Sequence, residues 1–454
     1  MLILAGCSGS GFSLGTPSTP AATESIFTIE NIGSPGTLST GGQPYQLVKL
    51  TQDDEPPTFA QWVPNTSGTK GPVLVFFMPY EGIDWTSLTL DATWAARGTG
   101  VWADTEGPYY NAATSAPVHY SYMNAPDFYY PAFPFIYNNI SVLAIYGRYY
   151  SGAHIKTGAR DVVSGLKYLK TQALVDLDKV AIYGASWGGF TSLYGMASSE
   201  HNVTLAAAAF LYPMSDARQA YQFAYVHVPS ICSNSTKLDE FYDFFDPYLR
   251  RINKSSEDIA SDPDRYKNYS QEKLAGITTP MFIAHDVWDT IVPKTMSDSL
   301  IALLPNSQSR HYFHMHTTSL DFNTADVGHT QLSNETMDEE GAHMWARLFI
   351  INKLKPSQTR YIDYLYTSIT AQFQRTRQMK LAGQDTSFYT PLLKELCDSN
   401  ITMKEGNSAA PDMTGPEGLA YLYTTYITPE GDPAWASVTS ANVCTLMDTN
   451  PSVF

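Results

Sequence analysis

Apolar runs closed by turn residues recur along the chain. GPVLVFFMPY (71–80), SVLAIYG (141–147), KVAIYG (179–184), LAAAAFLYP (205–213) and TPMFIAHD (279–286) are largely apolar throughout. Runs of this length without steady polar alternation predict strands covered on both faces. YQLVKL (45–50) and TFAQWVP (58–64) predict two earlier strands about the turn-rich TQDDEPP, and SRHYFHMH (309–316) predicts a last one. Between them, GARDVVSGLKYLKTQ (158–172) places apolar residues at helical spacing, and TSLYGMASS continues a helix after Ser186. DEEGAHMWARLFIINKL (338–354) begins acidic and ends basic, as a helix dipole prefers. Strands alternating with helices predict an α/β fold around a parallel sheet.

Two long stretches interrupt this rhythm. One, about 85–138, is rich in Tyr, Pro and Ala; the other, about 214–277, carries the helical pattern KLDEFYDFFDPYLRRI. Long insertions at strand ends cover a site in folds of this kind. Residues 1–25 read as a leader and flexible tether, 26–354 as the main domain, and 355–454 as a C-terminal extension. That extension opens on the helical pattern YIDYLYTSITAQFQRTRQMKLAG and continues irregularly.

Composition narrows the function classes. Hydrophobic residues are 43% of the 454, enough for a large core, while charged residues are 16%, against about 25% in an average soluble domain. The net charge is −16 and no Lys/Arg cluster forms a basic stripe, which argues against a nucleic-acid partner. The N-terminal LAGC, ending at Cys7, resembles a bacterial lipobox, so Cys7 is a candidate lipidation site and membrane tether. The low charge, 30 tyrosines and this motif point to an extracytoplasmic protein, lipid-anchored or secreted. Cys397 and Cys444 are candidates to pair, leaving Cys232 free. Sequons at Asn65, Asn139, Asn202, Asn234, Asn253, Asn268, Asn334 and Asn400 matter only if the protein is secreted by a eukaryote. No cysteine spacing suggests a metal, and neither metal nor organic cofactor is expected.

KVAIYGASWGGFTSLYG (179–195) carries the candidate chemistry. A serine on a tight strand-to-helix turn exposes its hydroxyl at the end of the sheet, and the turn needs small neighbours, here Gly184, Gly188 and Gly189. The helix that starts there aims backbone N–H groups where an oxyanion develops. A nucleophilic serine needs a base and an orienting acid, following in the order Ser, acid, His. Asp289 lies just past the strand 279–286, and His329 lies on a loop before the last long helix. The competing residues fit less well. Asp286 and His285 lie in the strand, His311, His314 and His316 in or just after another, and His343 inside a helix.

GASWGGF, HDVWDTIVP and VGHT resemble the catalytic domain of the prolyl oligopeptidase family, and the neighbouring Xaa-Pro dipeptidyl peptidase and cocaine esterase group. In those families the nucleophile lies in Gly-x-Ser-x-Gly-Gly, the acid in Gly-x-x-Asp-x-x-Val-Pro and the base in a Gly-His pair. The resemblance implies Ser186 as nucleophile, Asp289 as orienting acid and His329 as base. FFMPYEGIDW resembles the second group's strand ending in Pro-Tyr, which implies Tyr80 as an oxyanion donor beside the backbone N–H of Trp187. IYGRYYSG stands in the place of that group's Asp-x-Arg-Gly-x-Gly-x-Ser stretch. The resemblance spans about 70–350 and implies an α/β-hydrolase fold. That fold has a mostly parallel central sheet flanked by helices, insertions forming a lid, and here a partly helical C-terminal extension. The sequence departs from the family at Asp286, where Gly is usual, and at Thr330, where Gly commonly follows the His. About 70 residues precede the hydrolase, where the family's peptidases carry a β-propeller, and the C-terminal region is not the β-rich jelly roll of the esterase group.

The expected reaction is acyl transfer through Ser186 to water, on a small ester or peptide substrate. Glu81 is a candidate for holding a substrate's amino terminus, as an exopeptidase requires. An ester hydrolase is the leading reading and a serine peptidase the second. The third is a binding protein on the same fold, which usually lacks one of the three residues that are all present here.

Overall fold

The computed structural model describes residues 27–37, 43–52, 58–77, 138–146, 155–231, 269–286, 289, 291–304, 306–312, 342–355, 360–363, 396–404, 413–422 and 438–449, with a few shorter pieces between them. Its centre is a nine-stranded sheet. In chain order the strands are β1 (Phe27–Thr37), β2 (Pro44–Gln52), β3 (Thr58–Val63), β4 (Gly71–Phe77), β5 (Ser141–Tyr146), β6 (Val175–Ala185), β7 (Leu205–Leu211), β8 (Met281–Asp286) and β9 (Ser307–Tyr312). In space the order is β1-β2-β3-β5-β4-β6-β7-β8-β9. The first three pair antiparallel, β3 pairs antiparallel with β5, and every pair from β5 to β9 is parallel.

The apolar runs became the parallel strands because both of their faces are buried there. All seven residues of β4 are buried, as are the last six of β6. One face carries Val73, Val75, Ile182, Phe210 and Ile283 and packs on α1 (Ile155–Leu169), α2 (Ser186–Met196) and α4 (Thr295–Leu303) through Val162, Leu166, Leu193 and Leu300. The opposite face meets α5 (Ala342–Leu354), where Phe282 and Phe349 stack at 6.0 Å between centroids. Each such side chain, moved from water into this core, contributes about 1.5–3 kcal/mol. The edge strand β1 is mostly exposed and has Gly33 at φ +65° and an irregular register between Ile32 and Gly36. It carries no continuous apolar run, and this is why the apolar pattern did not reveal it.

α1 is tied to the sheet by a buried polar contact as well as by packing. Thr58 of β3 donates its hydroxyl to Asp161 at 2.5 Å, with both residues out of solvent. At the start of the 214–277 insertion, α3 (Ala217–Gln222) is capped by Asp216, whose Oδ1 accepts from Gln219 N at 2.8 Å. A π-helical turn, Phe223–His227, and a short helix, Val228–Ile231, follow. Most of the 85–138 insertion lies outside the described residues.

Beyond α5 the extension departs from the expected helix at its start. Arg360–Asp363 (β10) is a strand, parallel to Ile401–Lys404 (β11), which pairs antiparallel with Met413–Thr414 (β12). A local sequence period does not reveal a strand whose hydrogen-bonding partner lies about 40 residues away. Two helices, α6 (Gly415–Leu422) and α7 (Val443–Thr449), belong to the same region, and a disulfide joins Cys397 to Cys444 across 47 positions.

Candidate active site

In a parallel sheet, sites form at the carboxyl ends of strands near the point where strand order reverses. Here the chain runs from β4 back to β5, then over β4 to β6. Ser186 follows β6 directly. Its neighbour Ala185 is extended, with φ −132° and ψ 151°, and Ser186 itself has φ +49°. A left-handed conformation costs a serine about 1–2 kcal/mol, and here it turns the chain from strand to helix within two residues.

The turn leaves no room for larger neighbours. A Cβ added to Gly184 would lie 3.0 Å from the backbone C and O of Gly188 and 3.1 Å from the carbonyl oxygen of Phe77. One added to Gly189 would lie 2.9 Å from Pro213 Cβ. The helix cap is Ala185, whose methyl side chain cannot bond the first-turn N–H groups. The indole of Trp187 is buried and stacks edge-on with Phe190 at 5.4 Å. From there an aromatic ladder runs through Tyr194 (5.1 Å) to Tyr269 (5.7 Å), at the far end of the 214–277 insertion. Burial, reinforced by the nearby carboxylate of Asp216, pushes the Tyr194 phenol far above its usual pKa. Its hydroxyl donates to Ser215 O at 3.2 Å.

Asp289 lies beyond the end of β8 and is buried. Its Oδ1 accepts two backbone N–H bonds, from Ile291 at 2.8 Å and Val292 at 2.7 Å, which fixes the direction of the carboxylate. Its Oδ2 lies 3.3 Å from His285 Nε2. The register sets the span to the serine. Ala185 pairs with Leu211, and Leu211 with Ala284. The elbow and the acid loop therefore stand two strand spacings apart on one sheet edge, about 10 Å. An imidazole with a hydrogen bond at each end fills a gap of that order.

The base of the insertion is fastened at both ends. Besides capping α3, Asp216 accepts from Gln271 N through Oδ2 at 3.1 Å. The Gln271 side chain donates to Ser215 Oγ at 2.5 Å and to Met296 O at 2.8 Å.

The structure thus describes Ser186, Trp187 and Asp289 of the residues singled out from sequence, and brings all three to the carboxyl edge of the sheet. His329, Tyr80, Glu81 and Cys7 lie outside the described residues. Sequence reasoning passed over two features. His285, set aside as a strand residue, reaches the acid loop at Asp289 and Val292. Tyr212 is fully buried immediately after β7 with φ +38°, a backbone that bulky residues rarely adopt, and it stands beside the elbow. Strain of that kind leaves no trace in a sequence. The polar His285 in an otherwise apolar strand did leave one, because a buried imidazole must find partners. Among the described residues no group of His, Cys, Asp and Glu is placed to hold a metal, and no helix is long and apolar enough to cross a membrane.

The sheet order, the covering helices and the serine elbow together define an α/β-hydrolase. Residues 150–346 match the model of the prolyl oligopeptidase family, a span that includes positions 186, 289 and 329. Over residues 150–346 the chain carries a prolyl oligopeptidase family domain on an α/β-hydrolase fold, and this match supports a serine hydrolase. No curated protein sequence matches the chain. Solved structures similar to it include acetyl xylan esterase 1 from a Thermoanaerobacterium species, at 14% identity over 63% of this chain and 81% of that one, TM-score 0.38. A puromycin hydrolase is similar at 16% identity over 68% of this chain and 39% of its own, TM-score 0.41. Candida antarctica lipase A in its closed state is similar at 12% identity over 63% and 77%, TM-score 0.40.

Proposed function

We propose that the protein is a carboxylic ester hydrolase working through Ser186, His329 and Asp289. The observation that carries this reading is the left-handed Ser186 at the head of α2, with a buried, doubly anchored carboxylate two strands away. Ser186 Oγ attacks the ester carbonyl as His329 takes its proton. The charge on the carbonyl oxygen is met by the backbone N–H of Trp187 and the hydroxyl of Tyr80. Asp289 stabilises the imidazolium. The tetrahedral intermediate collapses, the alcohol leaves with the proton from His329, and an acyl-serine remains. Water, deprotonated by His329, attacks it and releases the acid and Ser186.

Asp216, which follows β7, is buried and accepts a backbone N–H at each oxygen, so it fastens the base of the insertion. The family match supports a peptidase as the second reading, with Glu81 as the ammonium anchor. Labelling with a fluorophosphonate tests the nucleophile: wild type labels and Ser186→Ala does not. Comparing p-nitrophenyl acyl esters with Xaa-Pro and alanyl anilides tests the bond, and faster turnover of the anilides would decide for the peptidase.

We also propose that the protein lies outside the cytoplasm. The Cys397–Cys444 disulfide supports an oxidising compartment, and the LAGC motif supports a lipid tether at Cys7. Palmitate incorporation in cells, abolished in Cys7→Ala, is the expected result; equal incorporation in both would remove the tether.

A further inference from the structure

We propose that His285 is a positioning residue for the reaction, holding the Asp289 carboxylate in register through the loop that carries it. This rests on the reading of Asp289 as the acid that orients His329.

His285 shares its face of β8 with Met281 and Ile283, both members of the main core, and its side chain is fully out of solvent. An imidazole there is costly unless both ring nitrogens are bonded. Both are. Nε2 lies 2.6 Å from Val292 O, and Nδ1 lies 2.7 Å from Ser297 Oγ. A carbonyl oxygen only accepts, so the partners assign the proton to Nε2. Ser297 Oγ, which can either donate or accept, meets Nδ1, and the ring is fixed at both ends. The same Nε2–H lies 3.3 Å from Asp289 Oδ2.

One side chain therefore joins four points: the end of β8, the far side of the acid loop at Val292, the first turn of α4 at Ser297, and the carboxylate itself. Val292 is held twice, giving its N–H to Asp289 Oδ1 and taking Nε2–H from His285 at its carbonyl. With Oδ1 occupied by two amides, Oδ2 is the oxygen beside the ring, and its position follows from where His285 holds the loop. A histidine that merely filled the core would support folding without acting through Asp289. Coupling between the two residues distinguishes the roles.

The test is a double-mutant cycle in the full chain. His285→Leu and His285→Gln are made alone and with Asp289→Asn, and kcat for a p-nitrophenyl ester is measured per active site titrated with a fluorophosphonate. His285→Leu is expected to lower kcat about 10–100-fold, the cost of misplacing a catalytic group by up to about 1 Å, with KM unchanged. His285→Gln restores most of it, because its amide can donate to Val292 O. In the Asp289→Asn background the same His285→Leu change has almost no further effect, because the group it positions is already gone. An unchanged kcat per titrated site with fewer sites, or an equal loss in both backgrounds, overturns the proposal. Full activity in Asp289→Asn alone overturns the triad reading itself, and this proposal with it. If His285→Leu does not fold, Ser297→Ala carries the test by freeing one end of the ring. Its expected loss is about 3–10-fold, the smaller displacement of a half-tethered ring, again absent beside Asp289→Asn.

Discussion

Replacing Gly184 by Ala isolates the geometry of the elbow, because it adds one methyl group and no charge. The new Cβ would stand 3.0 Å from Gly188 C and O and 3.1 Å from Phe77 O. Ordinary contact begins near 3.4 Å, and all three atoms are backbone, so no side chain can swing away. Either β6 separates from β4 or the first turn of α2 lifts. The strain of such overpacking is about 1–3 kcal/mol. A lift of a few tenths of an ångström also moves Ser186 and the Trp187 N–H. If a 1 Å misplacement costs about 100-fold, half of that costs about 10-fold in kcat, with little change in KM. Gly276→Ala is the control, since nothing lies within 4 Å of its new Cβ. It is expected to leave kcat unchanged and stability equal to wild type or slightly higher. Urea unfolding followed by tryptophan fluorescence, and ester turnover per titrated active site, give both quantities. Wild-type kcat and midpoint in Gly184→Ala, or matching losses in both variants, would refute the reasoning.

Three further outcomes follow from the same structure. Asp289→Ala orphans the buried N–H groups of Ile291 and Val292 and is expected to cost about 2–6 kcal/mol in urea unfolding, at about 1–3 per group, whereas Asp289→Asn keeps the Oδ1 acceptor and most of that stability. Burial holds His201 below its usual pKa, helped by Lys167 and Lys170, and Nδ1 accepts from Val203 N at 3.0 Å, so the ring must be neutral in the fold. Its contribution to stability is complete above the unfolded pKa of about 6.5 and falls as pH drops through that value, by at most about 1.4 kcal/mol per pH unit; melting between pH 7.5 and 5.5 is therefore expected to slope more steeply in wild type than in His201→Asn. Opening the Cys397–Cys444 disulfide with paired serine substitutions releases a loop closed across 47 positions and is expected to cost the C-terminal region about 4 kcal/mol on the chain-entropy account, read as faster proteolysis between residues 398 and 443.

The legible elements share a physical property. β4 to β8 are buried on both faces, so their sequences are apolar runs, and the run alone marks them. β1 lies at an exposed edge and β10 finds its partner about 40 residues on, so neither has a local period to betray it. At the site, the glycines around Ser186 were legible because the elbow excludes side chains of any size. The place of Asp289 beyond a buried strand was legible because loop acids follow strand ends. The bonds of His285 were not legible, since its partners at 289, 292 and 297 converge only when the loop folds back.

The chain by itself determined the α/β alternation, the elbow and the residue types needed for acyl transfer, all of which are local demands of sterics and solvent. The tertiary structure decided which atoms those residues meet. It spent Asp289 Oδ1 on two amides, set Asp216 between the amides of Gln219 and Gln271, and held the elbow and the acid loop two strand spacings apart. Those distances depend on sheet order and register, which arise from pairings between segments tens to hundreds of residues apart and are written in no single stretch of sequence.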